Sequence, residues 1–408
     1  MAPVLIVGAG MAGLTCAAQL HRAGRSFILL EASDAVGGRV RSDRTEDGFI
    51  LDRGFQVLLS AYPEVVRQLD LEKLEPRAFR SGAAIRLSDG TETILRDPFR
   101  DLWALPAALR SPIGSLADKL RLARLACCVA FKSSESLLSQ DGGGVLEFLE
   151  EQGFSERCVE SFFRPFFGGV FLDRSLSVDR AFFSFVFKQF LLGRAVLPRG
   201  GMQRIPEQIA AGLPAAALLL SSPVTSVDKN SVCLKDGTKL SGSAVVLAVE
   251  GSAAFGLLRG LVAPAFWRRT TCLYFAAPAS PGKGDGYLRL NASPNALVHN
   301  VCFPSDIAPE IAPPGQTLVS VSAHGLHGLS SQALLVKVLV ELAEWFGPQV
   351  LKWRHLRSYE IPRALPVGGT RVARAHKHNG VYVCGDHMAY PSLNAAMATG
   401  RMVAEALL

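Results

Sequence analysis

The chain has 408 residues, a formal net charge of +7 and a pI near 9.1. Hydrophobic residues make up 49% and charged residues 19%, which excludes a disordered chain and allows a core large enough for two domains. The basic residues fall in scattered pairs (Arg77/Arg80, Arg121/Arg124, Arg268/Arg269) rather than a stripe interleaved with stacking aromatics, which argues against nucleic-acid binding.

Val4–Val7 is an apolar run suited to a buried parallel strand. Gly8-Ala9-Gly10-Met11-Ala12-Gly13 follows at once. An apolar-periodic helix then runs through Leu20, and a second strand, Phe27–Leu30, ends at Glu31 and Ala32. In this order Gly8 makes the tight turn, Gly10 lets backbone approach a pyrophosphate, and Gly13 lets helix pack on strand. The helix start at Met11 and Ala12 offers N–H groups and partial positive charge to phosphates. Glu31 stands where a carboxylate accepts hydrogen bonds from ribose hydroxyls. Gly37-Gly38-Arg39 adds a second bare backbone and a fixed positive charge for the same diphosphate, and Asp52-Arg53-Gly54-Phe55 follows.

Further along, Ala83–Leu87 and Glu92–Leu95 read as a hairpin joined at Asp89-Gly90. Leu116–Phe131 has the period of an amphipathic helix, and Val145–Gln152 and Arg157–Phe163 read as shorter ones. Phenylalanines crowd the stretch from Phe162 to Phe190, as an aromatic core under helices and as the wall of an apolar pocket. Arg164 and Arg174 beside them read as solvated or core-bridging residues rather than anchors for an acidic substrate. Ala244–Val249 is another buried strand. A mixed sheet with helices follows: strands at Thr271–Ala276, Tyr287–Leu290, Leu297–Phe303 and Leu318–Ala323, a helix over Ser331–Phe346, and a strand near Leu356–Ile361.

The eight cysteines form no C-x-x-C pair and the histidines have no ligand spacing, so no metal site is expected. Most cysteines sit in apolar runs, as small core residues of a reducing compartment, either cytoplasm or a reducing organelle interior. The chain opens on a strand, leaving no room for a signal peptide, and no apolar run reaches the ~20 residues of a membrane span. The positive charge would suit peripheral attachment to an anionic membrane.

The N-terminal block resembles the FAD-binding start of the flavin amine oxidase superfamily, which includes amine oxidases, protoporphyrinogen oxidase and phytoene desaturases. Pro198-Arg-Gly-Gly-Met202 is similar to its central turn, and Val224 to the strand whose backbone meets the adenine. The closing segment is similar as well: Gly380 to Asp386, then Pro391 to Arg401. The resemblance implies non-covalent FAD held by Gly8, Gly10, Met11, Ala12, Gly13, Glu31, Ala32, Gly38, Arg39, Gly54, Phe55 and Val224. It also implies that Gly385-Asp386 holds the ribityl chain, and that the final helix aims N–H groups of Leu393, Asn394 and Ala395 at the flavin, where reduction places negative charge. The implied fold is α/β. A Rossmann-like FAD-binding domain (1–76, 195–250, 362–408) is interleaved with an α+β substrate domain (77–194, 251–361) built of a mixed sheet plus helices.

Amine-oxidising members carry a lysine on a substrate-domain strand. Here the corresponding strand, from Trp267 to Phe275, offers Thr270, Thr271 and Cys272 instead, and Ser392 stands where a caging tyrosine is expected. No cysteine occurs between Cys302 and Cys384 for a covalent flavin. The closer resemblance is to the desaturase and protoporphyrinogen-oxidase side, to which the run Ile361–Pro366 also points. This implies hydride removal from a hydrophobic small molecule to form C=C, with O2 or a quinone as acceptor. Phe55, Gln56 and Tyr390 are the candidates for the flavin face, and His387 for a proton carrier. The alternatives are an amine oxidase releasing H2O2, an isomerase that needs reduced FAD without net redox, a flavoprotein without turnover, and an NAD-dependent dehydrogenase.

Overall fold

The computed structural model describes residues 2–140, 142–258, 266–325 and 328–408. Val4–Val7 is buried at all four positions and lies inside a six-stranded sheet. The order is Leu218–Leu219, Phe27–Leu30, Val4–Val7, Ala244–Leu247, Val381–Val383, His376–His378. All pairs are parallel except the last. Parallel strands need cover on both faces, hence their unbroken apolar runs. The helices Met11–Arg22 and Leu393–Glu405 pack together on this sheet. A Cβ on Gly400 would overlap the Ala12 carbonyl, so glycine sets their spacing. A buried ion pair, Arg401 Nη2 to Glu64 Oε1 at 2.8 Å, ties the last helix to the helix Pro63–Gln68.

A seven-stranded sheet runs Arg354–Val367, Phe266–Ala277, Thr317–His324, Val298–Cys302, Leu288–Asn291, Gly82–Arg86, Glu92–Arg96. The hairpin read near residue 90 is its edge, joined in parallel to Leu288–Asn291. One face carries the helix Ser331–Phe346, capped by Ser330 and stopped at Gly347 with φ +83°. Its Leu334, Val338 and Leu342 meet Leu273, Phe275, Val319 and Val321. The strand expected at Thr271–Ala276 is longer, and Arg354–Val367 runs past residue 361.

The helix read at Arg157–Phe163 does not stop there. Glu156–Cys158, a π-helical turn over Val159–Phe163 and the helix Arg164–Phe171 follow one another without a break. The extra residue of the π turn shifts which side chains face inward, a break in period that a 3.6-residue pattern hides. The run Arg180–Leu192 is helical too, started by Asp179 accepting from the Ala181 N–H. Phe163, Phe171, Phe183 and Phe185 are fully buried between these helices. Arg164 pairs with Glu160 at 2.8 Å, and Arg174 donates to the Ser293 carbonyl at 3.0 Å, so both bridge within the fold as expected.

One buried group links this helical layer to the sheet. His299 is 1% exposed, with Nε2 2.9 Å from the Pro165 carbonyl and Nδ1 3.3 Å from Arg174 Nη1. Those partners suit the neutral ring, Nε2–H donating and Nδ1 accepting. Burial first, then His324 and Arg174, hold its pKa well below 6.5. The unfolded chain therefore takes up a proton below about pH 6.5 that the folded chain refuses. Thermal stability should fall as pH drops from 7 to 5, this group contributing at most about 1.4 kcal/mol per pH unit. His299→Gln should flatten that slope; melting curves with the same slope in both proteins would remove His299 as a cause.

Candidate active site

The turn from Gly8 to Gly13 lies at the carboxyl end of the first strand, where open α/β sheets bind ligands. Gly8 has φ +102°, and a Cβ there would stand 2.8 Å from the Ala248 carbonyl. A Cβ on Gly13 would overlap the Gly8 carbonyl. Gly10 differs: nothing lies within 4 Å of where its Cβ would be, because its bare Cα faces a cavity. Gly37 bridges to Gly10, its N–H donating to the Ala9 carbonyl at 2.8 Å, and Gly38 faces the Gly10 Cα. The helix that begins at Met11 has neither a capping side chain nor an acid in its first turn. Two bare backbones beside an uncapped helix start fit a diphosphate.

The cavity holds about 1360 Å³, more than a single small ligand needs, and runs without interruption from Glu31 past Gly10 and Gly38 to Phe162, Phe166 and Phe190. Glu31 is held by the chain's own donors: Oε2 accepts from Ala9 N–H at 2.7 Å, Oε1 from Ser33 N–H at 2.9 Å and Ser33 Oγ at 2.8 Å. Ala32 and Val224 are not in the wall; Val224 packs instead in the core under the three-stranded sheet 224–241.

Arg39, expected as a fixed positive charge toward the diphosphate, is held by the chain itself. Its Nη2 lies 2.6 Å from Asp386 Oδ1, its Nη1 donates to the Ala364 carbonyl at 2.9 Å, and the guanidinium sits 5.5 Å from the Trp267 ring centre. Both charges line the cavity, so two residues read separately from opposite ends of the chain form one ion pair. Phe55 also lines it, edge-on to Phe79 at 6.3 Å. Gln56 Nε2 donates to the Arg39 and Arg53 carbonyls at 3.0 and 3.2 Å, fixing the loop below the ion pair. A Cβ on Gly54 (φ +100°) would strike Ile361 of the long strand.

Four expected residues stand back from the wall. Tyr390 packs on Phe182 and Phe185, ring centres 5.5 and 5.3 Å away, with its hydroxyl accepting from Asn394 Nδ2 at 2.8 Å. Asn394 Oδ1 accepts the Glu64 N–H at 2.9 Å, so this pair rivets the last helix. Ala395 gives its N–H to Ser392 Oγ at 3.0 Å, a helix cap where an amine cage is absent. The His387 ring lies under Gly385 with neither nitrogen hydrogen-bonded, and burial lowers its pKa. Tyr390 and His387, suggested by adjacency to a motif, turn their side chains from the cavity, whereas Asn394 and Ala395 were expected to act through backbone N–H groups. Leu393 and Gly385 remain in the wall. Of Thr270, Thr271 and Cys272, only Thr270 reaches it. The sequence reading missed Val249, Glu250, Tyr359, Asn300 and Ser322, which also line the cavity. Only the position of Val249 and Glu250 at a buried strand's carboxyl end could have signalled any of them.

Gly10→Val should fold, since the added side chain enters open space at φ −73°, yet purify with flavin occupancy reduced about tenfold or more. Gly13→Val should fail to fold. Equal flavin content in Gly10→Val and the parent, read from visible absorbance, would separate Gly10 from cofactor binding.

Comparison with known proteins gives concordant results. The chain is 29% identical over 171 residues to a chloroplastic/chromoplastic 15-cis-phytoene desaturase of Arabidopsis thaliana, a match covering 39% of this chain and 30% of the desaturase. It is 28% identical over 237 residues to a putrescine oxidase of Kocuria rosea, covering 55% and 48%. In structure it matches an oxidoreductase from Methanosarcina mazei with a TM-score of 0.74 at 17% identity, over 99% of this chain and 100% of that one, a likeness of fold. The family model for flavin containing amine oxidoreductases matches residues 11–408. The chain belongs to that family, and its match spans about a third of the length of the phytoene desaturase and about half that of the putrescine oxidase.

Proposed function

We propose that this chain removes hydride from an uncharged, apolar small molecule, forming C=C rather than C=N, with O2 or a quinone as final acceptor. Bound FAD supplies the two-electron acceptor; the chain supplies shape, dryness and orientation. In this reading Gly10, Gly38 and the helix start hold the diphosphate, Glu31 the ribose, and the Arg39–Asp386 pair the ribityl side.

The observation that carries the apolar reading is the wall beyond Phe55. There Phe162, Phe166, Phe167, Phe187 and Phe190 line the cavity. Most of the carboxylates near it are engaged. Asp118 accepts from Ser115 and Ser155, Glu250 caps a helix and meets Arg363, Asp97 pairs with Arg100, and Asp386 with Arg39. Glu360 faces solvent. An ammonium would be desolvated against those phenylalanine rings, which disfavours amines.

The cavity mouth suits loading from a membrane. Leu105, Leu109 and Leu120 line the cavity and are also exposed. Trp103 is 94% and Phe131 91% exposed, with Arg110, Arg124 and Lys132 exposed on the same helices and their ends. Exposed aromatic and basic groups of this kind, on helices that border the cavity, match the charge and polarity of an anionic bilayer surface. Among the described residues no helix is long and apolar enough to cross a membrane.

Anaerobic mixing of holoprotein with a panel of unsaturated hydrocarbons, neutral apolar heterocycles and mono- and diamines tests the chemistry. Loss of the oxidised flavin colour with neutral members alone is expected; bleaching by amines, with peroxide on aeration, would overturn it in favour of an amine oxidase. Co-sedimentation with anionic but not neutral vesicles, reduced about tenfold in a Trp103→Ser/Phe131→Ser variant, is expected for these exposed groups. Equal sedimentation of parent and variant would remove them from membrane binding.

A further inference from the structure

Three neighbouring strands of the seven-stranded sheet, Phe266–Ala277, Thr317–His324 and Val298–Cys302, turn a polar row toward the cavity. Asn300 pairs in register with Ser322, and Ser322 with Cys272; Thr270 lies two residues along, on the same face. Asn300, Ser322 and Thr270 all line the cavity. Beyond Asn300 the row turns apolar at Leu290, its partner on the next strand, and Leu288 and Phe166 line the cavity nearby. A polar row in an apolar wall requires a cause.

Asn300 provides the sharpest sign. It is 5% exposed, and its Oδ1 is buried with no hydrogen-bond partner. A buried amide oxygen left unpaired is costly, and proteins keep few of them. Gly169, from the Phe162–Gly169 run that the cofactor leaves unexplained, also lines the cavity; a Cβ there would stand 3.6 Å from Asn300 Nδ2 and against the His299 ring. The His299 ring is what keeps Gly169 bare, and the bare Cα borders the cavity next to the amide. Thr270 Oγ1 donates to the Ala323 carbonyl at 3.2 Å, which leaves its oxygen as an acceptor.

We propose that Asn300, flanked by Ser322 and Thr270, is a specificity site for one neutral hydrogen-bond donor, a hydroxyl or an N–H, on an otherwise apolar substrate. The donor gives its proton to Asn300 Oδ1 once a turn of the amide about χ2 brings that buried oxygen to the cavity surface, and so fixes which carbon of the apolar body is presented for oxidation. This rests on the apolar reading above and narrows it: a bare hydrocarbon would leave the amide oxygen unpaired.

The test is equilibrium binding of matched probes to the holoprotein, read from the change in bound-flavin absorbance. The probes are dodecane, 1-dodecanol, N-methyldodecanamide and dodecylammonium. The alcohol or the amide should bind about tenfold more tightly than dodecane, the gain of one buried neutral hydrogen bond. Asn300→Leu, of similar size, should abolish that preference, with alcohol, amide and alkane binding about equally. Equal affinity of the parent for alcohol, amide and alkane overturns the Asn300 site and leaves the apolar reading standing. A preference kept in Asn300→Leu overturns the site as well. Binding of dodecylammonium alone overturns both. The parent's own ranking can overturn the proposal even if the variant folds poorly, and Asn300→Asp, of the same shape, then reads whether the preference follows that side chain.

Discussion

Three segments far apart in sequence meet around the first turn with no room for a single added methyl. Gly13 lies on the Gly8 carbonyl, Gly8 on the Ala248 carbonyl, and Gly400 on the Ala12 carbonyl. Backbone packed on backbone this closely leaves one arrangement of strand, helix and closing helix. The start of the first helix is thereby held rigidly at the carboxyl edge of the sheet. Everything that faces the cavity on this side, from Glu31 to the Arg39–Asp386 pair, is placed relative to that edge. Preorganised donors of this kind bind without the entropy cost of ordering loops.

The other side of the cavity is built by a different rule. The phenylalanine-rich helices fill their own interior with Phe163, Phe171 and Phe183 while lending Phe162, Phe166 and Phe190 to the wall. Core and pocket are the two faces of one layer, so packing that stabilises the fold also fixes the pocket's shape. Stacked and edge-on rings, such as Phe163 with Phe167 at 6.2 Å and Phe167 with Phe183 at 4.8 Å, hold that wall stiffly.

The sequence made the local devices legible. Glycines at Gly8, Gly10 and Gly13 encode a turn within six residues, and the period of Ser331–Phe346 with its flanking Ser330 and Gly347 marks a helix to the residue. What stayed hidden depends on facing or on distance along the chain. Arg39 could be read as a cavity charge but not as the partner of Asp386, because nothing local links residues 347 positions apart. Tyr390 is next to the right motif and points into the core. Asn300 sits in a strand that reads as apolar, and its lack of a partner exists only once Ser322, Thr270 and Gly169 surround it. The π turn at Val159–Phe163 shifted a helical pattern that seemed to end there.

The early hairpin Gly82–Arg96 finds its partner only at Leu288–Asn291, and Val4–Val7 is flanked by Ala244–Leu247. During synthesis both must wait, with an open sheet edge, for about two hundred residues to emerge. The cavity closes later still, when the helix Leu393–Glu405 docks on the first helix. Nascent chains thus carry exposed strand edges until those partner strands emerge, a period in which chaperone cover matters most.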